Sequence, residues 1–179
     1  MACWNVIETD TLSSDTTTWT TGTLSGAYDH LCVMMLLKSD AGSGAGSSYY
    51  SSSTLVTFNG DTGSNYGMRD LQASSSTYGY YQLNNSANIG YPLASGNAYS
   101  DTFGAQTWWI PNYTASTAKS IIIQSYGASK STSNQQWGVK YTAASWNSSS
   151  AITSISMTFN GGYDFMAKST YTIYGINGA

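Results

Sequence analysis

Asp61-Thr62-Gly63-Ser64 reproduces the tetrapeptide of aspartic proteases, the stretch of this chain closest to a catalytic signature. Acid proteolysis needs two such aspartates close enough to share a proton. The tetrapeptide occurs once in 179 residues, so it could act only across a two-fold dimer. It also follows Asn59-Gly60, a pair that tolerates positive φ and marks a turn, where a protease would have a hydrophobic strand leading in. A structural loop tip accounts for the same letters. Asn59, Asp61 and Asn65 offer oxygen atoms to a calcium ion, but one carboxylate makes a poor site.

The other candidates are weaker. His30 is the only histidine, and Asp29 precedes it. Adjacent strand residues point to opposite faces, so the two cannot act as base and orienting carboxylate. No Gly-x-Ser-x-Gly elbow supplies a nucleophile. Gly42-Ser43-Gly44-Ala45-Gly46 lacks the spacing and following helix of a phosphate loop and reads as a hairpin tip. The carboxylates are scattered, with no pair placed for glycoside hydrolysis. Two cysteines and one histidine make no metal pattern. Cys32 lies mid-strand, where a thiol behaves as a small hydrophobe, and a Cys3–Cys32 disulfide would require neighbouring strands. Asn84, Asn112 and Asn147 open Asn-x-Ser/Thr patterns of the kind chance supplies in so polar a chain. These residues predict no catalytic site, no metal and no cofactor. The expectation is not an enzyme.

Composition narrows the class further. Charged residues are 8% of the chain, against about 25% in ordinary soluble proteins. Aromatic residues are 14%, too many for a disordered chain, so solubility must come from hydroxyls and amides. A net charge of -3 without a basic patch leaves no electrostatic footprint for nucleic acid. No apolar run approaches the ~20 residues that cross a membrane, and Met1-Ala2-Cys3-Trp4-Asn5 does not open a signal peptide. Synthesis in a cytoplasm and no membrane insertion are expected.

The elements that would carry any site are strands. Helical spacing is absent, while short runs rich in Thr, Tyr, Trp, Val and Ile recur between Gly, Asn and Ser clusters. Strands are predicted at 4–8, 16–21, 28–37, 54–59, 78–83, 98–103, 106–110, 119–126, 136–143, 152–160 and 170–176. The fold class is all-β: an antiparallel β-sandwich, jelly-roll-like, as a single domain over 1–179. The organising strand is the apolar run from Tyr28 to Lys38. One of its faces carries Tyr28, His30, Cys32, Met34 and Leu36, and the other Leu31, Val33, Met35 and Leu37. A strand apolar on both sides needs a second cover, from a loop or a neighbouring subunit. Ile121-Ile122-Ile123 is a second such run. Met34, Leu36, Ile121 and Ile123 are therefore the candidate subunit interface. Trp108-Trp109-Ile110 stops at Pro111, which cannot donate to a ladder.

Long polar segments between Gly42 and Ser53, Ser64 and Tyr78, and Asn84 and Asn97 read as loops with tyrosines interleaved. Tyrosine gives large contact area at low entropic cost, the composition of a binding surface. Tyr49, Tyr50, Tyr66, Tyr78, Tyr91 and Trp108 are the candidate partner- or glycan-binding residues.

Three groups of residues also carry a resemblance. Phe58-Asn59-Gly60-Asp61-Thr62-Gly63-Ser64-Asn65-Tyr66 is followed by Ile110-Pro111-Asn112-Tyr113 and Thr117-Ala118-Lys119-Ser120. Trp146-Asn147 then precedes Ala151-Ile152-Thr153-Ser154-Ile155 and the terminal Tyr174-Gly175-Ile176. In that order and spacing, over nearly the whole chain, they resemble a widespread family of small β-rich proteins encoded by tailed bacteriophages. The resemblance implies a jelly-roll-like virion component, trimeric, with itself and other virion proteins as partners. The first expectation is a capsid decoration (cement) protein, bound to the major capsid protein on the outer shell. With strands expected near both ends, no shaft, heptad repeat or collagen-like segment is foreseen. The alternative is a tail-fibre or receptor-binding module that recognises host surface glycans.

Overall fold

The computed structural model describes residues 4–41, 54–74, 78–84, 102–130, 135–159 and 161–178. Eleven strands lie among them: β1 Trp4–Thr11, β2 Thr18–Thr20, β3 His30–Leu37, β4 Thr54–Phe58, β5 Tyr66–Ser74, β6 Tyr78–Asn84, β7 Gly104–Ile110, β8 Lys119–Lys130, β9 Gln135–Trp146, β10 Ile155–Phe159 and β11 Thr170–Ile176. They form an eight-stranded sheet, β1-β11-β3-β7-β8-β9-β5-β6, and a three-stranded sheet, β2-β10-β4. Every pairing is antiparallel. The pairing is nested: β1 and β3 flank the last strand, and β2 and β4 flank the one before it. That is the connectivity of a jelly roll.

The two sheets are joined by aromatic rings that face each other across the sandwich. Trp19 of β2 lies 4.7 Å from Tyr171 of β11 and 5.9 Å from Phe165, ring centre to ring centre. Phe58 of β4 lies 5.5 Å from Trp146 of β9. Between them, Leu31, Val33, Met35 and Leu37 of β3, Trp108 and Ile110 of β7, and Val56, Ile155 and Met157 complete one core. Each fully buried side chain of this size contributes about 1.5–3 kcal/mol. The indole N–H groups are satisfied as they go under: Trp19 donates to Asp10, Trp108 to Gln106 and Trp146 to Asp61, at 2.8–3.0 Å.

Local signals explain where the strands stop. Asn59 and Gly60 both have positive φ, 55° and 70°, and the Asp61 N–H closes the turn on the Phe58 carbonyl at 2.9 Å. The turn carries the chain from the short sheet to the long one, not into a hairpin. β7 ends at Ile110, directly before Pro111. Two expectations are corrected. The segment between Ser64 and Tyr78, expected as a loop, contains β5, paired with both β6 and β9. Phe103, expected in a strand, precedes β7, and residues 98–101 of that expectation lie outside the described residues.

Gly175 sits where the ring of Tyr28 lies flat on β11, with Ile7 Cδ1 2.8 Å from where a Cβ would stand. Packed interiors do not absorb such an addition without displacing neighbours. Gly175→Ala is expected to cost about 1–3 kcal/mol, seen as a lower denaturation midpoint with an unchanged denaturant slope. An unchanged midpoint would show that Tyr28 is not anchored there.

Candidate functional site

The strand pleat sends alternate residues of the eight-stranded sheet away from the core, and register lines them up into rows. One row crosses seven strands as Val6, Tyr174, Cys32, Trp109, Ile122, Ala143 and Arg69. The next runs Thr9, Thr172, Met34, Thr107, Gln124, Tyr141 and Leu71. A third places Leu36 beside Thr170 and Ala105, with Tyr126 beyond. The large apolar side chains that the described residues leave exposed all stand on this one face: Trp4, Val6, Met34, Leu36, Leu71, Ile122, Tyr126 and Tyr141, between 41% and 61% accessible. Trp4 joins them beside Tyr174 and Trp109, at 5.6 and 6.3 Å between ring centres. Monomeric proteins seldom leave so broad an apolar area open, so this face is the candidate site.

Several of its polar groups are bonded within the chain. The Thr9 hydroxyl donates to the Tyr171 carbonyl at 3.0 Å and lies 3.1 Å from the Thr172 hydroxyl. Thr11 donates to Thr170 at 3.0 Å, and Thr170 to the Asp10 carbonyl at 2.8 Å. Tyr126 donates to the Gln124 side chain at 3.3 Å. His30 Nδ1 accepts the Asn112 N–H at 3.1 Å, and its ring centre lies 5.9 Å from that of Trp109. Beneath these rings Cys32 is a buried free thiol, its pKa raised by desolvation. Arg69 is the only charged side chain among the described ones on the face.

Met34 and Leu36 lie on this exposed face. Ile121 and Ile123 do not, and that expectation is corrected: both are sealed in the core, and Ile122 between them is the exposed one. The parity was hidden because β8 and β9 turn lysines inward. Lys119 and Lys140 share the buried face with Ile121, Ile123 and Trp146, so polarity did not mark the outside. Trp108 and Tyr66, expected on binding surfaces, are also corrected to the core. Trp109, on the opposite side of β7, reaches the outer face. Tyr49, Tyr50 and Tyr91 lie outside the described residues, as does the side chain of Tyr78.

The protease-like tetrapeptide has a structural task. One oxygen of Asp61 accepts the Gly63 N–H at 2.9 Å; the other accepts the Asn65 amide at 2.9 Å and the Trp146 indole at 2.8 Å. These bonds, the Trp146 one foremost, hold its carboxyl below the usual carboxylate range. Tyr66 completes the corner: its hydroxyl donates to the Asp61 carbonyl at 2.9 Å and accepts the Phe58 N–H at 3.0 Å. Burial pushes the Tyr66 pKa up to about 12. Asn59 binds the 151–154 segment, donating to the Ala151 carbonyl at 2.7 Å and accepting the Thr153 and Ser154 N–H groups. The Lys119 ammonium sits in a cage of the Thr117, Ser148 and Ser150 carbonyls at 2.6–3.2 Å, 5.6 Å from the Trp146 ring centre. Asp29 binds the Gly178 N–H at 2.6 Å, apart from the His30 imidazole bond. Among the described residues no group of three or more His, Cys, Asp or Glu side chains could hold a metal ion.

Asp61→Asn is expected to destabilise the fold by about 1–3 kcal/mol, since it turns an anionic acceptor into a neutral one with a donor to place. Because the folded carboxyl titrates below its ordinary value of 3.8, its contribution is complete above that value and fades as pH falls through the folded pKa. Denaturation midpoints from neutral pH downwards should therefore converge for wild type and Asp61→Asn. Parallel curves would contradict the assignment.

No protein-family model, no curated protein and no solved structure matches the chain.

Proposed function

We propose that this protein is a structural subunit of a bacteriophage virion, a capsid decoration protein that binds the outer shell and ties neighbouring capsomers together. The observation that carries this reading is the open apolar face of the eight-stranded sheet, which belongs on a component of a larger assembly. The resemblance to small phage proteins supplies the kind of assembly, and its motif residues fall where a fold needs them. Asn59, Asp61, Trp146 and Lys119 knit one end of the sandwich, and the Tyr174-Gly175-Ile176 strand joins β1 to β3 in the long sheet. A surface of few charges suits contacts that must survive changes of salt, because screening acts on charges and not on apolar area. The receptor-binding alternative loses Tyr66 and Trp108, which are core residues.

Purified protein added to shells lacking it should bind saturably, in fixed stoichiometry, and raise the temperature at which the shells break. Binding to host cells but not to shells would overturn the decoration reading in favour of a receptor-binding one.

A further inference from the structure

We propose that the outer face of the eight-stranded sheet is a self-association surface, packed in the assembled protein against the same face of a second copy of this chain. The inference rests on reading this face as an assembly surface and adds which partner covers it. Size is the first argument. At their fractional exposures the eight large apolar side chains together present on the order of 800 Å², about the share each partner contributes to a standard stable interface. At the usual strand spacing, a row over seven strands is roughly 30 Å wide, broad enough for a second sheet to stack on it about 10 Å away.

Charge is the second argument. The chain carries a net charge of -3, so copies repel unless they meet where their carboxylates are absent. Those whose side chains are described on the long sheet and its neighbouring turns are held within the chain. Glu8 accepts from Tyr171 and Gly22, Asp10 from Trp19, Asp29 from Gly178 and Asp61 from Trp146. Arg69 is the one charged side chain that the described residues place on the outer face, too little charge to select an unlike protein, and the large apolar side chains around it are complementary to themselves. Dehydration is the third. The Thr9, Thr11, Thr170, Tyr126 and His30 polar atoms named above already have partners in the same chain. Covering them orphans none of these bonds, and an orphaned polar group is what makes a wet surface costly to bury. Packing of one face on its own copy is a two-fold contact, so two such faces stack in a dimer.

Light scattering after size exclusion tests this on the full chain at micromolar concentration. The wild type should elute as a multiple of its 19.1 kDa mass, with tryptophan emission shifting to the red as dilution uncovers Trp4 and Trp109. The double variant Met34→Glu/Ile122→Glu, placed on two exposed positions, should fall to the single-chain mass with an unchanged far-ultraviolet spectrum. Thr18→Glu, on the outer side of the short sheet, should keep the wild-type mass. A wild type of single-chain mass, or a folded double variant that keeps the oligomer, would overturn the proposal. Should the double variant not fold, Leu71→Glu, at the other end of the face, is read in the same way. The outcomes also separate the two proposals. A chain that oligomerises through this face yet ignores shells refutes the decoration reading alone, and one that binds shells as a monomer refutes self-association alone.

Discussion

A sheet has two faces, and the short sheet of this protein shields one face of a much wider partner. The three strands β2, β10 and β4 pack their Trp19, Ile155, Met157, Phe159, Val56 and Phe58 against the inner side of the eight-stranded sheet. Everything on the other side of the long sheet must then find its own environment. In most antiparallel sandwiches the outer side is polar and water suffices. Here it carries tryptophan, tyrosine, leucine, isoleucine, methionine and valine. The width of the long sheet, more than any single residue, makes this molecule one with an uncovered surface.

The same geometry gives the most catalytic-looking letters a structural task. The chain must leave the short sheet after Phe58 and enter the long one at Tyr66, and that crossing would strand polar groups at the rim of the core. Asp61 accepts three donors there, and Tyr66 and Asn59 bind most of the rest. The three donors of the Asp61 carboxylate all come from its own corner. Lys119 plays the complementary part, holding three carbonyls of the rim. Aspartate and lysine here substitute for the water that would otherwise have to enter.

Much of the fold was legible from residues alone because strands announce themselves by turn chemistry and aromatic or β-branched content. The doubly apolar run at β3, the Asn59-Gly60 turn and the Pro111 stop all lie where that chemistry requires. β5 was not legible. Tyr66 and Met68 go inward while Gly67, Arg69 and Leu71 go outward, so a glycine, an arginine and a leucine share one face and give it no common polarity to read. The site was half legible for a related reason. Met34 and Leu36 could be placed because β3 has a purely aliphatic opposite face, whereas β7, β8 and β9 bury Gln106, Lys119, Lys140 and Thr142. With polar residues on the core side, alternation of polarity loses its meaning, and only register against β3 reveals which side is out.

Those inward lysines also bear on how the two outer faces differ. Lys38, Lys119 and Lys140 are all buried, so a chain already poor in charge withdraws much of its positive charge from the surface. Solubility falls to hydroxyls, and these are not evenly spread. The outer side of the short sheet displays Thr18, Thr20, Thr57, Ser156 and Thr158, with Thr20 and Ser156 bonded at 2.8 Å and Leu55 the one large apolar side chain among them. The outer side of the long sheet sets Thr9, Thr107, Thr170, Thr172 and Gln124 among its eight exposed large apolar side chains. A sandwich whose exposed large apolar side chains stand on one side only is already oriented before any neighbour arrives, and its cheapest arrangement turns the short sheet to water.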